Sequence, residues 1–201
     1  MTGRFVVLEG GDGSGKSTQC ARLVDALRAG GTDAIATVEP GGSTLGAELR
    51  RLLLDGGSVD ARAEALLMAA DRAEHVASVI RPALDRGTWV VTDRFVPSSL
   101  VYQGVVRELG VDAVAALSAF ATDGLEPDLV LVLDVDDATA ESRRAPTADR
   151  MEREGQQFHA AVRAAYRDLA ARNGWVVIDG GGDADAVTGR LLAAVGTLSG
   201  A

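Results

Sequence analysis

Gly10-Gly11-Asp12-Gly13-Ser14-Gly15-Lys16-Ser17 fits G-x-x-x-x-G-K-[ST], the pattern of a phosphate-binding P-loop. Its flanks carry as much weight as its letters. Arg4-Phe5-Val6-Val7-Leu8-Glu9 is a short apolar run of the kind buried in a parallel sheet. From Thr18 to Ala29, the residues Ala21, Leu23, Val24 and Leu27 recur at helical spacing. Strand, glycine loop and helix in succession form the context that the motif requires. Glycines let the backbone turn tightly and approach phosphates, whose charge meets the N–H groups and the positive end of the following helix. Gly10, Gly11, Asp12, Gly13, Ser14, Gly15, Lys16, Ser17 and Thr18 are therefore the candidate ATP-binding segment. Lys16 is placed to reach the β- and γ-phosphates, and the Ser17 hydroxyl to sit on Mg²⁺. Lys16 is also the only lysine in a chain whose other basic residues are arginine. A compact ammonium on a flexible stem is kept at this one position. A glycine-rich turn that binds nothing fits the same letters, but not the agreement of motif and context.

The bulk properties suit this reading. The 201 residues suit one domain, and a 47% apolar content supplies a full core and argues against disorder. A net charge of −9 argues against a general basic surface for nucleic acid or anionic membrane, but not against a local cationic pocket. Cys20 is alone, so no internal disulfide forms, which fits a reducing cytoplasm. Glu9 and Asp12 interrupt the only early apolar run, so no signal pattern appears, and no stretch approaches the length of a membrane span.

Further along, Asp33 to Val38 reads as a second strand, stopped by Glu39-Pro40-Gly41-Gly42-Ser43. Leu45, Leu49, Leu52 and Leu53 mark a short helix ending near Asp55. A long helical stretch runs from about Asp60 to Arg86, kinked or divided at Pro82. Thr88 to Thr92 is the third strand, followed by helical sequence over Ser99–Glu108 and Val111–Asp123. Asp128 to Asp134 is a strand buried on both faces. A short helix over Ala138–Arg144 leads to a loop around Pro146, and a long helix runs from about Asp149 to Arg172. A last strand over Gly174–Ile178 and a closing helix over Ala184–Leu198 complete the chain. Strands alternating with helices imply a five-stranded parallel α/β sheet with helices on both faces, in a single domain over 1–201.

Two constellations add chemistry. Asp93-Arg94 ends the third strand, and active groups of open α/β sheets sit at the carboxyl ends of strands. Asp93 is a candidate for Mg²⁺ or its waters, and Arg94 for a second phosphate; a surface ion pair is the plainer alternative. Arg143, Arg144, Arg150 and Arg153 flank the Pro146 loop as a candidate phosphate-closing lid at about 142–153, or else form a solvated face with nearby acids. The Asn-Lys-x-Asp signature of guanine-nucleotide switches cannot exist, because Lys16 and Asn173 are the only residues of their kinds. His75 and His159 lack metal-ligand spacing and read as ordinary helical residues.

Taken together, the chain resembles the bacterial thymidylate kinases, P-loop nucleoside-monophosphate kinases that convert dTMP to dTDP. The correspondence covers nearly the whole chain. Glu39-Pro40-Gly41-Gly42-Ser43 is similar to the family's E-P-G-G-T stretch, and Ala70-Asp71-Arg72-Ala73-Glu74-His75 to its base-facing helix. Asp93-Arg94-Phe95-Val96-Pro97-Ser98-Ser99-Leu100-Val101-Tyr102-Gln103 is close to D-R-Y-x-x-S-x-x-A-Y-Q and narrows the superfamily to this family. The resemblance implies strand order 2-3-1-4-5, ATP and dTMP as ligands, Mg²⁺ with the ATP, and a homodimer formed through helices beside the sheet. Ala65–Ala70 and Val111–Ala121 are the stretches that serve either as that interface or as core.

The same resemblance implies roles for individual residues. Asp12 bonds the deoxyribose 3′-hydroxyl or shapes the phosphate site, and Arg94 holds the dTMP phosphate, with Arg50 a further candidate. Arg72 donates to a thymine carbonyl, Ser99 and Gln103 approach the base's polar edge, and Tyr102 packs near the sugar. Glu39 and Ser98 complete the acceptor set. Met68 stands where the family often has a phenylalanine stacked on thymine, and Val38 replaces an arginine before Glu39. Gly13 takes the place of a P-loop arginine found in one subgroup, which assigns the catalytic arginine to Arg143, Arg144 or Arg150. A related kinase acting on another nucleotide or nucleoside, and an ATP-binding regulatory module, are the alternative functions.

Overall fold

Five strands form one parallel sheet: β1 (Phe5–Glu9), β2 (Ala34–Val38), β3 (Trp89–Asp93), β4 (Leu129–Asp134) and β5 (Val176–Asp179). Their order is β2-β3-β1-β4-β5, as the resemblance implied. These are the coordinates of a computed structural model, which describes residues 3–143, 150–151 and 154–198. β1 is central and buried along its length. Its alternate side chains divide the core, as the two-residue period of a strand requires. Phe5 and Val7 face one apolar cluster with Val90, Phe95, Ile80, Val162 and Tyr166. Val6 and Leu8 face the other, with Leu23, Val24, Leu131, Leu133 and Leu191. The chain crosses from one side of β1 to the other between β3 and β4, so the sheet's switch point lies beside the P-loop. Leu8 pairs with Asp93, which brings the end of β3 level with the end of β1.

The helices are α1 (Lys16–Ala29), α2 (Thr44–Arg50), α3 (Ala61–His75), α4 (Arg81–Asp85), α5 (Val96–Ser99), α6 (Val111–Thr122), α7 (Asp137–Arg143), α8 (Gln156–Asn173) and α9 (Ala184–Val195). Wider π-type turns continue α2 through Arg51–Asp55, α3 through Val76–Ile80 and α5 through Leu100–Val106. Pro82 therefore marks a second segment. It stands at the start of α4, directly after the wide turn in which the Arg81 N–H reaches back to Val76 O, and that turn absorbs the change of register. Side chains cap several helices: Ser43 accepts from Gly46 N, Asp60 from Arg62 N, and Asp183 from Ala186 N.

Several boundaries differ from expectation by a few residues, α1 starting at Lys16 and α5 at Val96 among them, and two have a visible cause. α8 starts at Gln156, not near Asp149, because Gly155 caps it and the Arg150 backbone N–H is bonded to Leu54 O instead. β5 starts at Val176 because Gly174, at φ +69°, closes α8 in the left-handed conformation. Arg144, the Pro146 loop and Arg153 lie outside the described residues. Among the described residues no helix is long and apolar enough to cross a membrane.

Candidate active site

Beyond β1 the chain folds back over the start of α1. Gly13, at φ +81°, lies so close to α7 that a Cβ there would stand 2.2 Å from the Ala140 carbonyl oxygen. Neither the arginine of the related subgroup nor any other side chain fits. Gly15 caps α1 without a side chain, so the first-turn N–H groups of α1 have no side-chain cap to satisfy them. A phosphate can take them. Lys16 is buried, with its ammonium 2.8 Å from Gly11 O and 3.5 Å from Ser14 Oγ. Burial pushes its pKa down and the Arg94 charge adds to this, against the carboxylates of Asp93, Asp12 and Glu9. Arg143, at the end of α7, reaches back to the loop after β5, bonding Gly180 O at 3.0 Å and Gly182 O at 3.2 Å, with Nη1 beside Gly15.

At the end of β3, Ser17 Oγ donates to Asp93 Oδ2 at 2.5 Å. The other oxygen, Asp93 Oδ1, is buried without a hydrogen-bond partner. A hydroxyl and an unsatisfied carboxylate oxygen, side by side at the P-loop, fit a hard divalent cation. Arg94 takes φ +74°, an uncommon conformation for a residue with a side chain. That turn is held from below by Glu9, fully buried at the end of β1. Glu9 accepts from Phe95 N (2.9 Å), Ser98 N (3.2 Å), Ser98 Oγ (2.6 Å) and Tyr166 OH (2.8 Å). Burial raises the Glu9 pKa despite the opposing Arg94 charge and these hydrogen bonds. The turn aims the Arg94 guanidinium between Asp12 (2.5 Å), Ser98 Oγ (3.0 Å) and the hydroxyls of Tyr102 and Tyr166 (3.3 Å each). It also lies over the Tyr102 ring.

The other end of the site is built on α3. Arg72 donates from Nε to Glu39 Oε2 (2.8 Å), from Nη1 to Ser99 Oγ (3.1 Å) and from Nη2 to Phe95 O (3.0 Å). Glu39 Oε1 meets His75 Nδ1 at 2.9 Å. A carboxylate there accepts from the ring N–H at Nδ1, and Nε2 meets Thr37 Oγ1 at 2.7 Å. His75 is thus no ordinary helical residue: it is fully buried and packs under Gly42, where a Cβ would meet its ring at 2.4 Å. Asp71 Oδ1 accepts from Gly41 N at 2.9 Å, and Arg50 Nη1 donates to Pro40 O at 2.8 Å. Together they fix the Glu39–Ser43 turn, whose Glu39–Pro40 peptide is cis.

One cleft of about 520 Å³ joins the two ends. Asp12, Gly13, Gly15, Lys16, Ser17 and Thr18 line its P-loop end. Asp93, Arg94, Ser98 and Tyr102 line the middle, and Glu39, Arg50, Met68, Arg72, Ser99 and Gln103 the far end. Arg143 also faces it; Gly10, Gly11 and Ser14 support the loop from outside the lining. Arg150 does not reach the P-loop, because its guanidinium bonds Glu64 Oε2 (2.6 Å) and Leu53 O (2.8 Å). Leu54 and Met151 add apolar wall beside Met68. Reading the sequence missed the groups behind this lining, namely Glu9, Glu64, Asp71, His75 and Tyr166.

The family model described as thymidylate kinase matches residues 8–189. This chain belongs to the thymidylate kinase family. It is 48% identical to the thymidylate kinase of Bifidobacterium longum subsp. infantis, an alignment covering 98% of this chain and 88% of that one. The thymidylate kinase of Leifsonia xyli subsp. xyli is 52% identical, over 84% of this chain and 82% of its own. That of Rhizorhabdus wittichii is 46% identical, over 98% and 99%. The resemblance drawn from the motifs and these whole-chain matches agree on the family, on a kinase activity and on the fold.

Proposed function

We propose that the protein transfers the γ-phosphoryl group of ATP to the 5′-phosphate of dTMP. The supporting observation is the single cleft that runs from the Lys16 P-loop past Arg94 to the Arg72–Gln103 end, in a chain of the thymidylate kinase family. ATP phosphates lie on the P-loop, with the dTMP phosphate on Arg94 and its base between Met68 and the polar edge of Arg72, Ser99 and Gln103. The acceptor oxygen is already ionised at neutral pH, so no general base is needed. Catalysis rests on alignment and on stabilising charge as it shifts. Lys16 neutralises the transferring group and Arg94 fixes the attacking phosphate in line. Asp12 keeps the Arg94 fork oriented and is placed to take a sugar hydroxyl. Ser17 and Asp93 would hold Mg²⁺, which supplies further charge neutralisation on the donor phosphates. Arg143, facing the cleft beside Gly15, is better placed for the donor nucleotide than Arg150, the other candidate arginine among the described residues.

Equilibrium titration with dTMP tests the acceptor site. Wild type should bind, and Arg94→Ala should weaken binding by about hundredfold or more, since it loses a charge-assisted fork. Equal affinity in both would remove Arg94 from the acceptor site.

The chain forms one kinase domain over 1–201, the expected lid at about 142–153 lying mostly outside the described residues, and works in the cytoplasm, where the lone thiol of Cys20 stays reduced. Burial pushes that thiol up to about 12, so it is unreactive. The active form is a homodimer. Supporting this, α3 carries exposed Leu66 and Ala70 one turn apart, and α6 exposed Ala113, Ala116 and Phe120, the last 88% exposed. Two adjacent apolar stripes suit a second copy better than water.

A further inference from the structure

Glu64 lies on α3 one turn before Met68 and two turns before Arg72, on the same face, yet is itself fully buried. Its two oxygens are divided. Oε1 accepts from Gln103 Nε2 at 2.8 Å, with Arg107 Nε 3.7 Å away, and Oε2 accepts from Arg150 Nη2 at 2.6 Å. Two guanidinium groups make this buried carboxylate tolerable. We infer that Glu64 is a positioning residue for base recognition: it turns the Gln103 amide so that the carbonyl oxygen faces the cleft, selecting a base with a ring N–H beside a carbonyl.

The argument is one of donors and acceptors. An ion-paired carboxylate only accepts, so the amide beside it must present its NH₂. The Gln103 carbonyl oxygen then points the other way. It accepts no side-chain hydrogen bond among the described residues, it is not among the sealed-off buried atoms, and Gln103 lines the cleft. Arg72 supplies the opposite sign: of its five N–H groups, three are bonded to Glu39, Ser99 and Phe95, so two remain for a ligand. A donor and an acceptor side by side match a pyrimidine with a 4-carbonyl and N3–H. A 4-amino pyrimidine with a bare N3 mismatches both positions. Glu64 also secures the flanking wall, because Arg150, tied in addition to Leu53 O and Leu54 O, sets the next residue, Met151, against the cleft.

This inference rests on the dTMP reading above, and its test separates the two. The full-length chain and Glu64→Gln are assayed with saturating Mg·ATP and either dTMP or dCMP as acceptor. A neutral amide at 64 can face either end of the Gln103 amide, so Gln103 loses its fixed orientation. The KM for dTMP should rise about tenfold with kcat within about twofold, and the dTMP-over-dCMP ratio of kcat/KM should fall about tenfold or more. The KM for ATP should not move. Loss of structure alone would depress both acceptors together and keep the ratio, and a folded Glu64→Gln with an unchanged ratio overturns the inference. If Glu64→Gln does not fold, Gln103→Met, which leaves Glu64 on its arginines, carries the same expected loss of ratio, and an unchanged ratio there overturns it equally. Failure of the dTMP reading itself would appear in the wild type, as no preference for dTMP.

Discussion

Asp71 shows how a single buried group leaves a mark on the whole protein. It is 1% exposed, and its Oδ2 has no partner. Burial, reinforced by the nearby Glu39 charge, raises its pKa to about 6, against the Gly41 hydrogen bond and the charges of His75 and Arg72. In the unfolded chain the group titrates near its ordinary value, so between about pH 4 and 6 the folded state holds the extra proton. Stability from this group is therefore full below about pH 4 and lost as pH rises through 6. Asp71→Asn keeps an acceptor for Gly41 N–H and removes the ionisation. It should be more stable than wild type at pH 8 by about 2 kcal/mol, with the advantage gone by about pH 4. Denaturant unfolding at both pH values checks this, and an equal difference at each would refute it. Asp71 also illustrates what a sequence conceals, since a carboxylate bears the same letter whether it is solvated or buried. Glu64, Met68, Asp71, Arg72 and His75 nonetheless recur at spacings of three, four and seven along α3. Charged residues sharing the inward stripe of a helix with apolar ones were the available sign of a polar site beneath it.

At the scale of elements, the P-loop works because β1, α1 and α7 leave room for backbone alone at Gly13. Gly13→Ala must place a methyl 2.2 Å from Ala140 O at a positive φ, so either the loop or α7 moves. The expected result is a KM for ATP raised by about tenfold or more, with dTMP affinity by titration nearly unchanged, because the acceptor end is built on α3 and α5. Parallel losses at both ends would mean that the loop is not an independent element. Most elements were legible in the sequence: branched apolar runs marked all five strands and periodic leucines the helices. The shifted starts of α8 and β5 share a cause. Around 149–155 and at 174–175 the residues favour helix or strand locally, but Arg150 is engaged by Leu53, Leu54 and Glu64, and Gly174 is needed to close α8. Distant partners decide such positions, and a window of neighbouring residues does not contain them.

For the whole molecule, the sheet order brings residues from positions 12, 39, 72, 94 and 103 into one cleft, which the motifs named piece by piece before any coordinates joined them. What no motif indicated was the layer behind: Glu9 and Tyr166 under Arg94, and Glu64 behind Gln103. Those contacts span 157 residues for Tyr166 and Glu9, and 39 for Gln103 and Glu64. The outer surface carries a prediction of its own. If α3 and α6 pair two copies, Phe120→Arg with Leu66→Arg should sediment as a monomer at a concentration where wild type is a dimer, because a buried unpaired charge is costly at an interface. A dimer unaffected by both changes would place the contact elsewhere.

The central claim, that one cleft moves a phosphoryl group from ATP to dTMP, is tested most directly by measuring Mg·ATP consumption against a panel of nucleoside monophosphates, with Lys16→Ala as control. The account predicts strong preference for dTMP and a fall of about a hundredfold or more in kcat for Lys16→Ala. Turnover that favours another monophosphate, or that does not depend on an acceptor at all, would contradict it.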